Sequence, residues 1–268
     1  MAIWIKKLIK DLFLKIPNKP PSYYSRLSIE NIKLLTQDKQ TIWGLLIKAD
    51  DVTPKTKFFV VCHGKGIDRV DAADLAKLRK HKDKDACFLM IDYREFGGST
   101  GEFIVKNVNY DLDAAIKYLK ETFEAEKISI IGHSLGTGVI IEYCRYLVDQ
   151  ECEFFPENVY CFSSFTTLFD CLMNFRIYRM LMRLFPSIRI LLPGDFEYNN
   201  AMHIGNIRCK IYLFHGKLDP LVPCDHSIQL SILSNNCYLK ITENDNHDSI
   251  FGSEECWEII LNGIEEPY

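Results

Sequence analysis

The sequence predicts an α/β protein with a mostly parallel central sheet and helices on both faces. Short apolar runs, rich in β-branched residues, recur along the chain as buried strands do, for example at 58–62 and 128–131. Stretches with helical spacing of apolar residues separate these runs. The 268 residues, 47% of them hydrophobic and 25% charged, are enough for one large core.

The first two strands are expected to be antiparallel and the later ones parallel. Residues 27–47 alternate between apolar and polar on either side of a polar break at 37–40, which predicts a strand pair. A helix over 107–124 is predicted because its apolar residues recur on one side. The other predicted elements are strands at 58–62, 87–92, 128–131, 159–163, 210–214 and 238–241, and helices at 68–80, from 137 onwards and at 254–264.

Residues 165–206 break this alternation and are predicted to form a helical cap inserted between two strands. The segment is apolar on more than one face, and it holds four of the six methionines of the chain. Methionine suits surfaces that adapt to flexible apolar ligands. A cap at this position would cover the candidate nucleophile described below, and Met180 and Leu181 would contact the substrate. The alternative is a helix buried in the core.

A sharp turn from strand to helix is predicted at Gly132-His133-Ser134-Leu135-Gly136, which fits the pattern G-x-S-x-G. The turn is strained, so the positions two residues before and after Ser134 must be small, and both are glycine. Ser134 then stands exposed at the tip, while the amide of Leu135 begins the next helix and can face a developing oxyanion. The pattern also occurs by chance, so the assignment depends on the rest of the site.

Two further residues complete a nucleophilic site. A serine hydroxyl is a poor nucleophile at neutral pH, and it needs a histidine base and a carboxylate that orients the base. Ser134, Asp219 and His247 each follow a predicted parallel strand and are expected to form a catalytic triad at the carboxyl edge of the sheet. Asp245 and Asp248 flank His247, and Asp219 is preferred because those two are too near in sequence to reach across the ring.

Five stretches together resemble those of the α/β-hydrolase-domain serine hydrolases: VCHGKG, DYREFGGSTGE, GHSLGTG, HGKLDPLVP and NHD. The similarity covers residues 27–265 and is strongest to the branch with lysophosphatidylserine and monoacylglycerol lipases, with acyl-protein thioesterases as near relatives. It implies an α/β-hydrolase fold with Ser134 as nucleophile, Asp219 as acid and His247 as base. It also implies that the amides of Lys65 and Leu135 form the oxyanion hole, and it implies no metal or organic cofactor.

The chain departs from this family pattern in two places. Lys65 stands where relatives often have asparagine, which changes the polarity of the pocket but leaves the backbone amide in place. Some relatives carry a membrane span or a cysteine cluster near the N-terminus, and this chain has no cysteine before Cys62.

The expected function is hydrolysis of the acyl ester of a lipid, a lysophospholipid or a monoacylglycerol, through an acyl-enzyme on Ser134. An acyl-protein thioesterase that removes palmitate is the first alternative. A serine peptidase is a weaker one, because a small peptide site would not need so apolar a cap. A non-catalytic α/β-hydrolase that serves as a binding module would be favoured by a missing triad member, and none is missing.

Other polar residues are expected to be structural. His63, His133 and His215 lie at or beside predicted strand ends and are expected to support loops. Asp92 and Arg94 are expected to pair with each other. The histidines predicted to face solvent are His81, His203 and His226.

Composition excludes several other classes of protein. A net charge of −4 does not favour a nucleic-acid-binding surface. The ten cysteines include no C-x-x-C pair, which argues against a zinc site and predicts buried free thiols in a reducing compartment. No signal-cleavage pattern or span-length apolar run is present, so the protein is expected to be cytoplasmic or peripheral on a membrane.

Residues 1–16 are predicted to form a basic amphipathic helix. Prolines at 17, 20 and 21 follow, so the predicted division is helix and linker at 1–20 and the hydrolase domain at 21–268. Apolar residues at 5, 8, 9, 12 and 16 share one face, and the lysines lie off it, as suits an anionic membrane surface. Sixteen residues rise about 24 Å, short of the roughly 30 Å of a hydrocarbon core. The alternative is packing on the hydrolase surface.

The full-length protein is expected to cosediment with anionic liposomes, and a chain beginning at Pro20 is expected to do so less. Each lysine near the lipid surface contributes about 1 kcal/mol, and salt should weaken that part of the binding. The shortened chain should still hydrolyse soluble esters. If both chains stay in the supernatant at low salt, or if the truncation unfolds the protein, the helix is a structural strap.

Overall fold

Eight strands form one sheet in the part of the chain that the structure, a computed structural model, describes: residues 29–49, 51–53, 55–65, 85–174, 179–180, 183–184 and 197–263. The strands are β1 (Ile29–Leu35), β2 (Thr41–Ile47), β3 (Lys57–Cys62), β4 (Ala86–Asp92), β5 (Ile128–His133), β6 (Asn158–Phe162), β7 (Lys210–Gly216) and β8 (Cys237–Thr242).

The spatial order of the strands is β1-β2-β4-β3-β5-β6-β7-β8. The pairs β1–β2 and β2–β4 are antiparallel, and all pairs from β4 to β8 are parallel. The predictions of a mostly parallel sheet and of an antiparallel pair near its start are therefore confirmed. The carboxyl ends of β3, β5, β7 and β8 lie at one edge, where the predicted site residues follow.

The α-helices whose bounds are described are α1 (Val105–Phe123), α2 (Leu135–Asp149), α3 (Leu168–Met173), α4 (Asn200–His203), α5 (Asp225–Ile232) and α6 (Glu254–Asn262), and short 3-10 helices lie at Ile204–Asn206 and Ser249–Gly252. The predicted helices at 107–124 and 254–264 correspond to α1 and α6. The helix predicted at 68–80 and the segment 1–20 lie outside the described residues. The longest described helix, α1, and the others are too short or too polar to cross a bilayer.

The central strands are buried on both faces, which explains their continuous apolar runs. In β3, Val60 and Cys62 pack on the side of α1 and α2. Phe59 and Val61 pack on the opposite side, in a cluster that includes Trp257 of α6. Alternate residues of a strand point to opposite faces, so the two clusters together require apolar residues at every position.

Arg94 fastens the β1–β2 turn to α1, and the predicted pair of Asp92 and Arg94 is wrong. The buried guanidinium donates to Asp111 Oδ1 from Nε at 3.0 Å and from Nη2 at 2.8 Å, and to Asp38 Oδ2 from Nη1 at 2.9 Å. The carboxylate of Asp92 instead lies 3.8 Å from His63 Nε2. The partners of Arg94 come from distant parts of the chain that the sheet brings together.

Helix α5 was not predicted, and the expectation that His226 faces solvent is wrong. Ile228, Leu230 and Ile232 are spaced by two residues, which is the spacing of a strand. The helix instead buries His226, Ser227 and Leu230. The imidazole of His226 is held at Nδ1 by the hydroxyl of Thr166 at 2.9 Å, so the buried ring has a polar partner.

Only parts of the predicted cap at 165–206 are described. Helix α3 begins after Thr167, whose hydroxyl accepts from the amide of Asp170 and caps the helix. Met180 is 53% exposed and Leu184 is 63% exposed, so these two side chains are not in the core. The arrangement of the segment as a lid remains a prediction.

Candidate active site

Ser134 occupies a strained turn between β5 and α2. Its backbone has φ 52° and ψ −113°, a region that residues with a side chain rarely adopt. The amide of Ser134 donates to the carbonyl of Phe162 in β6 at 2.9 Å, and its carbonyl accepts from the hydroxyl of Thr137 at 2.7 Å. These bonds hold the turn, while the side chain remains partly exposed.

The two glycines of the turn have no room for a side chain. A methyl group built at Gly136 would lie 2.1 Å from the carbonyl oxygen of Cys62, at the end of β3. A methyl group built at Gly132 would lie 2.7 Å from the carbonyl oxygen of Gly136. The start of α2 therefore packs directly on the strand ends, and this contact explains the glycines of the G-x-S-x-G pattern.

Asp219 and His247 are in direct contact although 28 residues separate them. Asp219 follows β7 and His247 follows β8, and the backbone of Gly216 packs so closely on Asp245 that the two loops meet. His247 Nδ1 lies 2.7 Å from Asp219 Oδ2. Because the carboxylate can only accept, Nδ1 carries the proton, and Nε2 is the nitrogen that can take another.

The carboxylate of Asp219 is buried and held by several donors. Its Oδ1 accepts from the amides of Leu221 at 2.9 Å and Val222 at 2.8 Å. Burial raises the pKa of the Asp219 carboxyl, but hydrogen bonds from His215, His247 and the Val222 amide outweigh burial and hold it well below its usual range. The group is therefore ionised at neutral pH and orients the imidazole of His247.

His133 ties the base to the turn that carries Ser134. Its Nε2 lies 2.8 Å from the carbonyl oxygen of His247, and the centroids of the two rings are 5.0 Å apart. A carbonyl can only accept, so Nε2 of His133 carries the proton. Burial and the neighbouring His247 lower the pKa of His133 to about 4, so the ring is neutral at neutral pH.

The loop that follows β3 lies against Ser134. A methyl group built at Gly64 would be 3.2 Å from Cβ of Ser134 and 2.8 Å from Nδ1 of His133. The next residue is Lys65, the predicted source of one oxyanion amide, and its side chain is exposed. Leu135, the predicted source of the other, is the first residue of α2, where backbone amides have no acceptor within the helix.

The two other acids near the base face elsewhere. Asp245 accepts from the hydroxyl of Ser249 at 2.8 Å, and its carbonyl accepts from the amide of Leu218 at 3.0 Å. The side chain of Asp248 is exposed. The geometry therefore agrees with the preference for Asp219 as the partner of His247.

Of the two predicted substrate contacts, Met180 is exposed and Leu181 lies outside the described residues. All ten cysteines are free thiols. Burial raises the pKa of Cys62, near the turn, to about 12, so this thiol is not a nucleophile at neutral pH. The described residues include no cluster of three or more side chains suited to a metal ion.

Sequence reasoning assigned His133 and His215 only to loop support, and the structure connects both to the site. His133 binds the carbonyl of His247, and His215 Nε2 lies 3.3 Å from Asp219 Oδ2. Their positions in the sequence could have indicated these contacts, because His133 directly precedes Ser134 and His215 lies four residues before Asp219.

The strand order and the strained turn define the α/β-hydrolase fold, as predicted. The esterase Pf2001 of Pyrococcus furiosus matches with a TM-score of 0.69 and 18% identity, over 93% of this chain and 96% of that one. Est1E of Butyrivibrio proteoclasticus, solved with ferulic acid bound, matches with a TM-score of 0.64 and 17% identity, over 88% of this chain and 100% of that one. At these identities the likeness establishes the fold.

Proteins similar in sequence to this chain include lysophosphatidylserine lipases, the group that the motifs indicated. Human protein ABHD12B is 24% identical over 183 residues, 67% of this chain and 50% of that protein. The lysophosphatidylserine lipase ABHD12 of Gallus gallus is 27% identical over 137 residues, 49% of this chain and 35% of that protein. The uncharacterised protein R595 of Acanthamoeba polyphaga mimivirus is 23% identical over 220 residues, 79% of this chain and 71% of that protein.

These matches confirm the resemblance to α/β-hydrolase-domain proteins, lysophosphatidylserine lipases included. The chain spans 50% of the length of the human relative and 35% of the chicken lipase. No family model matches the sequence.

Proposed function

We propose that the chain is a serine hydrolase that cleaves the acyl ester of a lipid, a lysophospholipid or a monoacylglycerol. The observation that carries the proposal is the 2.7 Å contact between Asp219 and His247, on loops tied to the strained turn of Ser134. The similarity to lysophosphatidylserine lipases supports a lipid ester as the substrate.

The reaction is an acyl transfer in two steps. His247 Nε2 takes the proton of Ser134 as the serine oxygen attacks the ester carbonyl, and Asp219 stabilises the imidazolium that forms. The amides of Lys65 and Leu135 receive the negative charge of the tetrahedral oxygen. His247 then protonates the departing alcohol. In the second step it takes a proton from water as the water oxygen attacks the acyl-enzyme, and it then gives that proton to the oxygen of Ser134 as the acid leaves.

Exposed apolar side chains beside the acid favour an apolar substrate. Leu218 is 60% exposed and Leu221 is 38% exposed, and they lie on either side of Asp219 in the chain. Met180 and Leu184 of the predicted cap are exposed as well. Exposed leucines and methionines of this kind can contact an acyl chain as it enters a site.

Labelling with a fluorophosphonate probe tests the proposal, because the probe reacts only with an activated nucleophile. Labelling should be followed by rates on lysophospholipids, monoacylglycerols, palmitoyl thioesters and peptides. The proposal requires labelling and preference for a lipid oxygen ester. Preference for the thioester would establish a depalmitoylase, and preference for peptides a peptidase. A folded protein that does not label would be a binding module.

Met180→Asp is expected to raise KM for long-chain esters by about tenfold while changing KM for acetate esters little. A carboxylate opposes an apolar tail but hardly meets a two-carbon acyl group. Leu35→Asp is the matched control, because Leu35 is 72% exposed in β1, far from Ser134 in the sheet order, and it should leave both values unchanged. Equal loss on both esters in Met180→Asp would contradict the substrate contact.

A membrane surface belongs to the proposal as the source of the lipid. The segment 1–16 that would bind it lies outside the described residues, and the cosedimentation experiment above tests this part separately. A cytoplasmic, membrane-peripheral location is part of the same proposal.

A further inference from the structure

A second histidine contacts the carboxylate of Asp219. His215 lies in β7 with no exposed surface. Its Nε2 is 3.3 Å from Asp219 Oδ2, the same oxygen that meets His247 Nδ1 at 2.7 Å. The same Nε2 is 2.8 Å from the carbonyl oxygen of Val222, whose amide binds the other carboxylate oxygen. Asp219 is therefore surrounded by donors on both oxygens.

The neighbours of His215 determine where its proton lies. A carbonyl and a carboxylate can only accept, so Nε2 must carry a proton. On the other side of the ring, Nδ1 lies 2.6 Å from the hydroxyl oxygen of Ser227 in α5, which is also fully buried. This is the one hydrogen bond of that hydroxyl among the described residues. A neutral ring that accepts from Ser227 and donates from Nε2 leaves every polar atom of both side chains paired.

We propose that His215 is a positioning residue for the reaction: it donates from Nε2 to Asp219 and fixes the carboxylate that orients His247, with Ser227 setting its tautomer. The inference rests on the proposed function, because Asp219 acts only through His247 and Ser134. The chain of contacts extends the site from the loop after β8 to helix α5.

Loss of this donor leaves the carboxylate of Asp219 freer to rotate, so kcat falls while KM, which reports substrate contacts, is unchanged. This split between kcat and KM distinguishes a positioning role from a general loss of structure. The titratable groups around His215 are Asp219 in the loop after β7, His226 in α5 and His247 after β8.

Four variants test the inference, and kcat and KM of each are measured separately with a soluble ester at neutral pH. His215→Leu removes both ring nitrogens, and His215→Gln returns an N–H near the position of Nε2. Ser227→Ala removes only the hydroxyl that sets the tautomer. Ser231→Ala is the matched control, because Ser231 lies on the same helix and binds only the carbonyl of Ile228, at 2.8 Å, among the described residues.

His215→Leu is expected to lower kcat by about 10- to 100-fold, the effect of losing a hydrogen bond to a charged group, and to leave KM unchanged. His215→Gln should recover most of kcat, Ser227→Ala should show a smaller fall in kcat, and Ser231→Ala should match wild type. A wild-type kcat in folded His215→Leu, or a loss that appears only in KM, would overturn the inference. If that variant does not fold, the same result in Ser227→Ala would overturn it.

The tautomer provides a readout that does not depend on activity. Nitrogen NMR of histidine-labelled, full-length protein should show His215 protonated at Nε2 and not at Nδ1 at neutral pH, with the signal assigned through His215→Gln. Protonation at Nδ1 would overturn the inference. If wild type shows the expected tautomer but neither labels with the probe nor hydrolyses esters, the proposed function fails while the contact between His215 and Asp219 stands.

Discussion

Ser134→Ala is expected to abolish fluorophosphonate labelling and to lower ester hydrolysis by about 10⁶-fold, as loss of the nucleophile does in other serine triads. The acyl-enzyme cannot form without the serine oxygen, so only substrate binding and the oxyanion amides still contribute to catalysis. The fold should be retained, because alanine can keep the backbone bonds of residue 134 to Phe162 and Thr137. Labelling on gels, progress curves and thermal melting measure the three effects.

Ser163→Ala is the matched control for this experiment. Ser163 directly follows β6, has φ 52° as Ser134 does, and its buried hydroxyl has no hydrogen-bond partner among the described residues. Loss of this hydroxyl should leave labelling and hydrolysis close to wild type. If Ser134→Ala remains active while Ser163→Ala does not, the nucleophile is wrongly assigned.

Asp219→Asn is expected to lower kcat by about 10⁴-fold with little change in fold, as the corresponding change does in a serine protease. An amide can present an N–H to His247 and favour the wrong tautomer, with the proton on Nε2. The base then has no lone pair for the proton of Ser134. Because the pKa of Asp219 is held well below its usual range, this carboxyl should stay ionised along the acid limb of the wild-type pH–rate profile and should not set its midpoint.

Asp245→Asn separates this role from a general effect of charge. Asp245 lies two residues before His247, and its carboxylate accepts from the hydroxyl of Ser249. Asparagine at this position keeps an acceptor oxygen, so kcat should fall by less than about tenfold. Steady-state rates of the two variants at one pH give the ranking. A larger loss in Asp245→Asn than in Asp219→Asn would move the acid to Asp245.

Most strands of the sheet and several residues of the candidate site could be predicted, because short patterns in the sequence determine them. Strands buried on both faces need continuous apolar runs, and these predicted β3 to β7 within a few residues of the observed bounds. The turn at Ser134 needs glycines at 132 and 136, because no methyl group fits there. The chain order of Ser134, Asp219 and His247 follows from the position of each residue after a strand.

Other features could not be predicted because they depend on which strands and loops become neighbours. Arg94 pairs with Asp38 and Asp111 because the hairpin of β1 and β2 folds over the start of α1, and no spacing in the chain encodes that contact. Helix α5 carries apolar residues at alternate positions, which indicates a strand. It is helical in the structure, where it buries His226 and Ser227.

The sequence by itself determined the class of fold and the strained turn, and it supplied the candidates for the proposed triad, since hydrophobic periodicity and glycine positions depend on local geometry. Only the tertiary structure decided that Asp219 and not Asp245 contacts His247, that His133 binds the carbonyl of His247, and that His215 joins the carboxylate. Hydrogen bonds between loops that follow different strands produce no periodic pattern in the sequence. Such bonds form only where the strand order brings two loops within hydrogen-bond distance.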